Sequence, residues 1–187
     1  MEVIDTLIPE IKIIKPKIFR DDRGYFFESF SKREFDQKIA DIKFVQDNQS
    51  KSSYGVIRGL HFQAPPYAQA KLVRCVVGKV LDVAVDIRSG SPSYGKYVAV
   101  ELSEENQLQL FIPRGFAHGF SVISEQAIFQ YKCDNYYHPE SEGGIALFDK
   151  EIGIDWQIPE EKAVISSKDS VRKCLNLFNS PFEYGKI

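Results

Sequence analysis

The chain has 187 residues and a formal net charge of −2, with 43% hydrophobic and 27% charged residues. These proportions suit one folded domain over residues 1–187 and exclude a disordered chain, while the slight acidic surplus weighs against a nucleic-acid partner. No apolar run approaches the roughly 20 residues of a membrane-spanning helix, and the acidic start Met1-Glu2-Val3-Ile4-Asp5 is unlike a secretory signal, so a cytoplasmic location with no membrane partner is expected.

The elements read mostly as strands. Ile11 to Ile14 is a short apolar run whose edge would invite pairing with a second copy of the chain. Tyr25 to Phe30 is strand-like. Ser31-Lys32-Arg33-Glu34 has capping-box spacing and predicts a short helix over 32–40, with Phe35 and Ile39 on one face. Phe44 to Asn48 is again strand-like. Lys71 to Val77 is rich in β-branched residues and stops at Gly78. Val80 to Ile87 follows, and the two residues Gly78-Lys79 between them have the length of a tight hairpin. Tyr97 to Leu102, Gln107 to Ile112, Gly119 to Val122 and Ala127 to Cys133 continue the pattern. A second short helix is expected after Ser167. Many short strands, an aromatic content of 13% and few helices predict an all-β jelly-roll barrel or sandwich. Cys75, Cys133 and Cys174 are odd in number and far apart, with no CxxC pair, so neither a disulfide framework nor a zinc ribbon is expected.

Polar residues concentrate in two places. In Gln46-Asp47-Asn48 and Arg58-Gly59-Leu60-His61-Phe62-Gln63, period-two alternation puts Gln46 with Asn48, and His61 with Gln63, on common faces. If those faces line a barrel interior, a ligand or a shared network must satisfy them, since each unpaired buried polar group costs about 1–3 kcal/mol. The second place is Pro113-Arg114-Gly115-Phe116-Ala117-His118-Gly119-Phe120, a turn that delivers a histidine onto a strand. Together the two segments resemble the paired motifs of the cupin superfamily. Metal-binding cupins place His-x-His and a later Glu in the first motif. Here Gln63 replaces the second His and Lys71 is the nearest candidate for the Glu position, so the pocket should repel a divalent cation. An acid–base pocket remains, holding His61, His118, Lys71, Arg58 and Tyr131. Tyr131 alone reads as core, and Asp169 alone as an N-cap. Asp169 gains meaning as a partner that would orient His61 and raise its basicity.

Over Ile13 to Leu177 the chain resembles the dTDP-4-dehydrorhamnose 3,5-epimerase family. The segments that carry the resemblance include Asp22-Arg23-Gly24-Tyr25-Phe26-Phe27-Glu28, Arg58-Gly59-Leu60-His61-Phe62-Gln63, Lys71-Leu72-Val73-Arg74, Asp82-Val83-Ala84-Val85-Asp86 and Pro113-Arg114-Gly115-Phe116-Ala117-His118-Gly119-Phe120. The resemblance implies a cupin-type jelly roll and a homodimer with exchanged N-terminal strands. It implies an isomerase without cofactor or metal, acting on the nucleotide sugar dTDP-4-dehydro-6-deoxy-D-glucose. By position it makes His61 the general base, Asp169 its partner, Tyr131 the opposite-face acid and Lys71 the group beside the 4-keto oxygen. It makes Arg23, Phe26, Glu28, Gln46, Asn48, Arg58, His118 and Lys168 substrate contacts. Ala146-Leu147-Phe148 departs from the family pattern, which usually has a Trp and acidic residues there. A single-centre epimerase or ketoisomerase on a related deoxysugar nucleotide is the alternative, and a non-catalytic nucleotide-sugar-binding cupin is a weaker one.

Overall fold

Gly78 separates two strands that do not pair with each other. In the computed structural model, which describes residues 1–186, Lys71–Val77 lies in one sheet and Lys79–Asp86 in the other. The expected hairpin at Gly78-Lys79 is therefore wrong. The chain changes sheet at Gly78, where φ is +76° and a Cβ would run into the carbonyl of Gln126 and the Ser124 hydroxyl. Only glycine takes that turn without strain. A two-residue connection can close a hairpin or cross a sandwich, and the local pattern does not distinguish the two.

In chain order the strands are β1 Glu2–Asp5, β2 Lys12–Lys15, β3 Phe19–Asp21, β4 Gly24–Phe26, β5 Gln46–Ser53, β6 Ile57–Gln63, β7 Lys71–Val77, β8 Lys79–Asp86, β9 Tyr97–Ser103, β10 Gln109–Ile112, β11 Phe116–Val122, β12 Gln126–Cys133 and β13 Glu142–Gly144, with one helix, α1 Lys32–Lys38. One antiparallel sheet runs β1-β2-β10-β7-β12-β5 and the other β13-β6-β11-β8-β9. This is the expected all-β jelly roll. Between the sheets pack Val73, Cys75, Val80, Leu110, Phe120 and Phe129, the inward positions of period-two strands.

Each sheet is also covered on its outer face. Leu81, Val83, Val85 and Ile87 of β8 and its end lie under Leu147, Trp156 and Phe182 of the C-terminal segment. β8 is thus apolar on both sides, which its near-continuous Val/Leu/Ala run reflects. Leu147 and its neighbours belong to this second core: the Trp156 indole donates to the Leu147 carbonyl at 2.8 Å, and Asp149 accepts from the Glu151 and Leu175 amides. On the other sheet, α1 buries Phe35 against Phe111 and Phe44, a burial that contributes roughly 1.5–3 kcal/mol.

Several boundaries differ from the sequence reading. The helix ends at Lys38, and Ser31 occupies the N-cap without a side-chain bond. Glu34 turns instead to the N-terminal amine, 2.7 Å away, so no capping box forms. The strand expected over Tyr25 to Phe30 is the short β4, paired only with β3 in a two-stranded ribbon. β5 begins at Gln46, two residues later than expected, and runs on through the polar stretch to Ser53. Among the described residues no α-helix follows Ser167; turns occupy that stretch, and a single 3-10 turn forms at Leu175–Leu177. Ile11 to Ile14 is not an open edge, because β2 is hydrogen-bonded to β1 on one side and β10 on the other. The free edge of that sheet end is β1.

Candidate active site

Histidines 61 and 118 face each other across the β6–β11 pair as direct Cα partners. Gly115, at φ +89°, makes the turn that starts β11 three residues before His118. A register shift between His118 and Phe120 opposite β6 then lets both Arg58 and His61 reach the cleft. Close packing sets this crossing: a Cβ on Gly119 would sit 2.7 Å from the Arg58 carbonyl.

The cleft has a volume of about 640 Å³ and lies between the two sheets at one end of the sandwich. His61, Tyr131, Lys71, Asp169, Asn48, Arg58, His118 and Lys168 all line it. An adjoining lobe of about 390 Å³ adds Gln46 and Gln63 and shares His61, Lys71 and Tyr131. Volumes of this size suit a small-molecule ligand. His61 stands on one sheet and Tyr131 on the other, so the two groups approach the space from opposite walls.

Asp169 comes from the turn after Ser166 rather than from a helix cap. Its Oδ1 accepts a hydrogen bond from His61 Nε2 at 2.6 Å, and the carboxylate is buried. That bond assigns the proton to Nε2 and leaves the Nδ1 lone pair free. The segment carrying Asp169 is held by a parallel bridge: the Val164 amide donates to the Gly55 carbonyl at 2.8 Å, and the Ile57 amide to the Val164 carbonyl at 3.0 Å. Gly55 is required at this seat, since its φ is +83° and a Cβ would lie 2.6 Å from the Lys162 carbonyl oxygen.

Burial lowers the His61 pKa and outweighs the opposing pull of Asp169, so the ring is neutral near pH 7. Burial also lowers the pKa of Lys71, whose ammonium lies over the Tyr131 ring at 5.9 Å. Tyr131 is pushed above its ordinary value by burial, which keeps its phenol protonated. A neutral base, a protonated phenol and a cation thus surround one space. This is the equipment for removing a proton from a carbon acid, stabilising the anion and returning a proton from the other side.

Three residues expected in the site lie elsewhere in the single chain. Arg23 is exposed at the tip of the β3–β4 ribbon, paired with Asp21 at 2.6 Å. Phe26 is 70% exposed, and with Glu28 it borders a separate groove beside α1. Both strands of the ribbon are exposed along their length, so no packing within the chain turns them toward the cleft. Gln63 reaches the adjoining lobe but is fully engaged as a brace: its amide donates to the Tyr67 and Tyr136 carbonyls and accepts from the His138 amide.

Sequence reasoning gave no role to two further groups, Glu142 and Asp82. Glu142 of β13 lines both lobes and accepts from Lys168 at 2.6 Å and Tyr137 at 2.8 Å. Burial opposes its ionisation, yet those two hydrogen bonds hold its pKa below the ordinary value. Tyr137 lines the adjoining lobe. Asp82, wholly buried behind His118, accepts from His118 Nε2 at 2.9 Å. The signal for Glu142 was the following Gly143-Gly144 pair: a Cβ on Gly143 would clash with the Phe62 ring, and one on Gly144 with the Leu60 carbonyl. For Asp82 the signal was a carboxylate inside the apolar run Val80 to Val85. Among the described residues, no three His, Cys, Asp or Glu side chains gather as a metal-ligand set, and no helix is long and apolar enough to cross a membrane.

Comparison with known proteins agrees with this geometry. The family model described as dTDP-4-dehydrorhamnose 3,5-epimerase matches residues 5–176. The chain is 55% identical over 170 residues to the dTDP-4-dehydrorhamnose 3,5-epimerase of Shigella flexneri, covering 90% of this chain and 93% of the relative. The dTDP-6-deoxy-D-glucose-3,5-epimerase of Legionella pneumophila, solved in complex with dTDP-4-keto-L-rhamnose, superposes with a TM-score of 0.92 at 50% identity, over 95% of this chain and 94% of that one. A 3'-monoepimerase from Streptomyces bikiniensis, in complex with dTDP-quinovose, is more distant, with a TM-score of 0.86 and 30% identity over 92% and 87% of the two chains. With the motifs, the double sheet and the relatives in agreement, the chain belongs to the dTDP-4-dehydrorhamnose 3,5-epimerase family, whose members are isomerases of cupin-type fold.

Proposed function

We propose that the protein epimerises carbons 3 and 5 of dTDP-4-dehydro-6-deoxy-D-glucose, giving dTDP-4-dehydro-L-rhamnose. The observation that carries this reading is the His61–Asp169 pair facing Tyr131 across one cleft, with Lys71 beside Tyr131 on the same wall. The 4-keto group acidifies the C–H bonds on both neighbouring carbons. His61 Nδ1 takes the proton, the C–H electron pair moves to the keto oxygen as an enolate, and the Lys71 ammonium donates a hydrogen bond to that oxygen. Tyr131 then donates its phenolic proton to the carbon from the opposite face, inverting it; the tyrosinate regains a proton from solvent and the His61 imidazolium releases its own to solvent. Two such cycles convert both centres.

Arg58, His118, Gln46, Asn48 and Lys168 are assigned to holding the diphosphate, nucleoside and sugar. Guanidinium and ammonium groups suit the anionic diphosphate. The exposed Arg23, Phe26 and Glu28 are assigned to the cleft of a second copy in a homodimer with exchanged N-terminal segments. Exposed Leu7, Phe19, Tyr25 and Phe26 on the N-terminal arm support an apolar partner surface there. Sedimentation at micromolar concentration should give twice 21.4 kDa, and a monomer would refute the exchange. The reaction needs no metal, since Gln63 is occupied as a brace and Lys71 brings a positive charge. A cytoplasmic location fits the three free cysteines.

The test of the function is proton NMR of the substrate with the protein in heavy water. Deuterium at carbons 3 and 5 is expected. Deuterium at one carbon would establish the single-centre reading, which the similarity to the monoepimerase keeps in play. No exchange at either carbon would leave a binding protein.

A further inference from the structure

The cation in this cleft lacks a close counter-ion. Among the described residues, no carboxylate lies within 4 Å of Lys71. Strand parity turns both groups between the sheets: Lys71 is in phase with inward Val73 and Cys75 on β7, and Asp82 with inward Val80 and Ala84 on β8. Tyr131 and Cys133 on β12, His61 on β6, Glu142 on β13 and His118 on β11 are the other ionisable groups around this space. Their commitments differ. Asp169 is taken by His61. Glu142 is taken by Lys168 and Tyr137, and also by Arg172. Burial pushes the Cys133 thiol up to about 11, so it carries no charge near neutrality. Asp82 alone keeps free lone pairs: one oxygen accepts from His118, and Oδ1, fully buried, has no hydrogen-bond partner among the described residues. A neutral imidazole can make the His118 bond, so that bond orients the ring without consuming the carboxylate's charge.

We propose that Asp82 is a positioning residue of the active site, fixing His118 with Nδ1 left for the ligand and supplying the buried negative charge that keeps Lys71 an ammonium. This inference deepens the epimerase reading, because an enolate needs Lys71 charged. The balance is set by opposing forces. Burial drives Lys71 toward the neutral amine, and the negative charges of Asp82 and Glu142 resist it. With Glu142 tied to Lys168, removal of Asp82's charge lets burial lower Lys71 further.

Asp82→Asn tests this, since asparagine keeps the size and the oxygen that His118 Nε2–H donates to, and removes only the charge. Lys71 protonation is read directly, without substrate, from the pH dependence of its labelling by acetic anhydride, followed by mass spectrometry. In Asp82→Asn the midpoint should fall by roughly one pH unit, a tenfold change in the ammonium fraction above it. The high-pH limb of substrate deuterium exchange should fall with it, and kcat should suffer more than KM. Asp82→Glu should restore the midpoint. A folded Asp82→Asn protein with an unmoved midpoint would overturn the proposal, however slow it is, because a purely structural role alters stability and not the charge of Lys71. If Asp82→Asn does not fold, Asp82→Ser removes the same charge with a smaller side chain and takes its place in the labelling measurement, where an unmoved Lys71 midpoint would refute the coupling. Failure of the epimerase reading would be seen separately, as absence of exchange in the unmodified protein.

Discussion

Two histidine–aspartate pairs stand side by side in this protein and are assembled in opposite ways. His118 and Asp82 lie 36 positions apart on β11 and β8, neighbours in one sheet, and both are buried. His61 and Asp169 are 108 positions apart, and the aspartate arrives on a C-terminal segment held to the barrel at Gly55 and Ile57. His61 keeps 31% of its side-chain surface exposed, against 8% for His118. The contrast separates two tasks. A pair locked into the sheet makes a rigid binding wall, whereas a base must reach a substrate carbon and exchange protons. Opening of the docked segment costs less than opening of the sheet, so the His61 pair can be perturbed without the other.

The largest expected effect comes from His61→Asn. Product formation and solvent deuterium exchange should both fall by about 10²–10⁴-fold, because the enolate never forms. His118→Asn should act mainly on KM, and an equal loss of kcat in both variants would erase the distinction between the pairs. Tyr131→Phe follows, with inversion reduced on the order of 10²-fold while exchange into unreacted substrate persists, since His61 can return a solvent proton to the same face. Loss of exchange in parallel with inversion would remove Tyr131 from its assigned role.

Asp169→Asn should cost less, roughly tenfold in kcat, because the imidazole stays while its basicity drops. The sign of the pH effect is fixed. His61 must be neutral to act, so kcat/KM rises as pH climbs through a pKa that burial has placed below the ordinary imidazole value. Asp169 opposes that lowering, so its neutral replacement should shift the low-pH limb further toward acid. A limb that moves up instead would contradict the pairing. On the high-pH side activity should fall as Lys71 deprotonates, below the ordinary lysine value. The smallest effect is expected from exhaustive chelation, which should leave turnover unchanged. Activity lost to chelator and restored by zinc, iron or manganese would require a different chemistry.

The legibility of the site followed the range of its contacts. His61, His118 and Lys71 were readable because each sits in a short, dense motif on a strand, whereas Tyr131 read alone as core and took its role only from the family resemblance. Asp169 read alone as a helix cap, because its meaning lies in a histidine 108 positions away. Asp82 was quoted only as part of a matching segment and given no role, since burial on both faces of β8 is a property of the covering layer. Glu142 was missed because three residues of β13 carry too little pattern to mark a strand.

The fold divides along the same line. Strand propensity, turn glycines and period-two alternation were enough to indicate an all-β jelly roll and which side chains face inward, because those properties depend on residues within a few positions of each other. Alternation says which face a side chain takes and nothing about which strand lies beside it. Hence the hairpin expected at Gly78 is a crossing between sheets, and the edge expected at Ile11 to Ile14 is paired on both sides. The choice of neighbour depends on how two sheets, a helix and a C-terminal segment together bury their apolar faces. That same packing brings Asp169 to His61, sets Asp82 behind His118 and leaves Arg23, Phe26 and Glu28 pointing away from the cleft of their own chain.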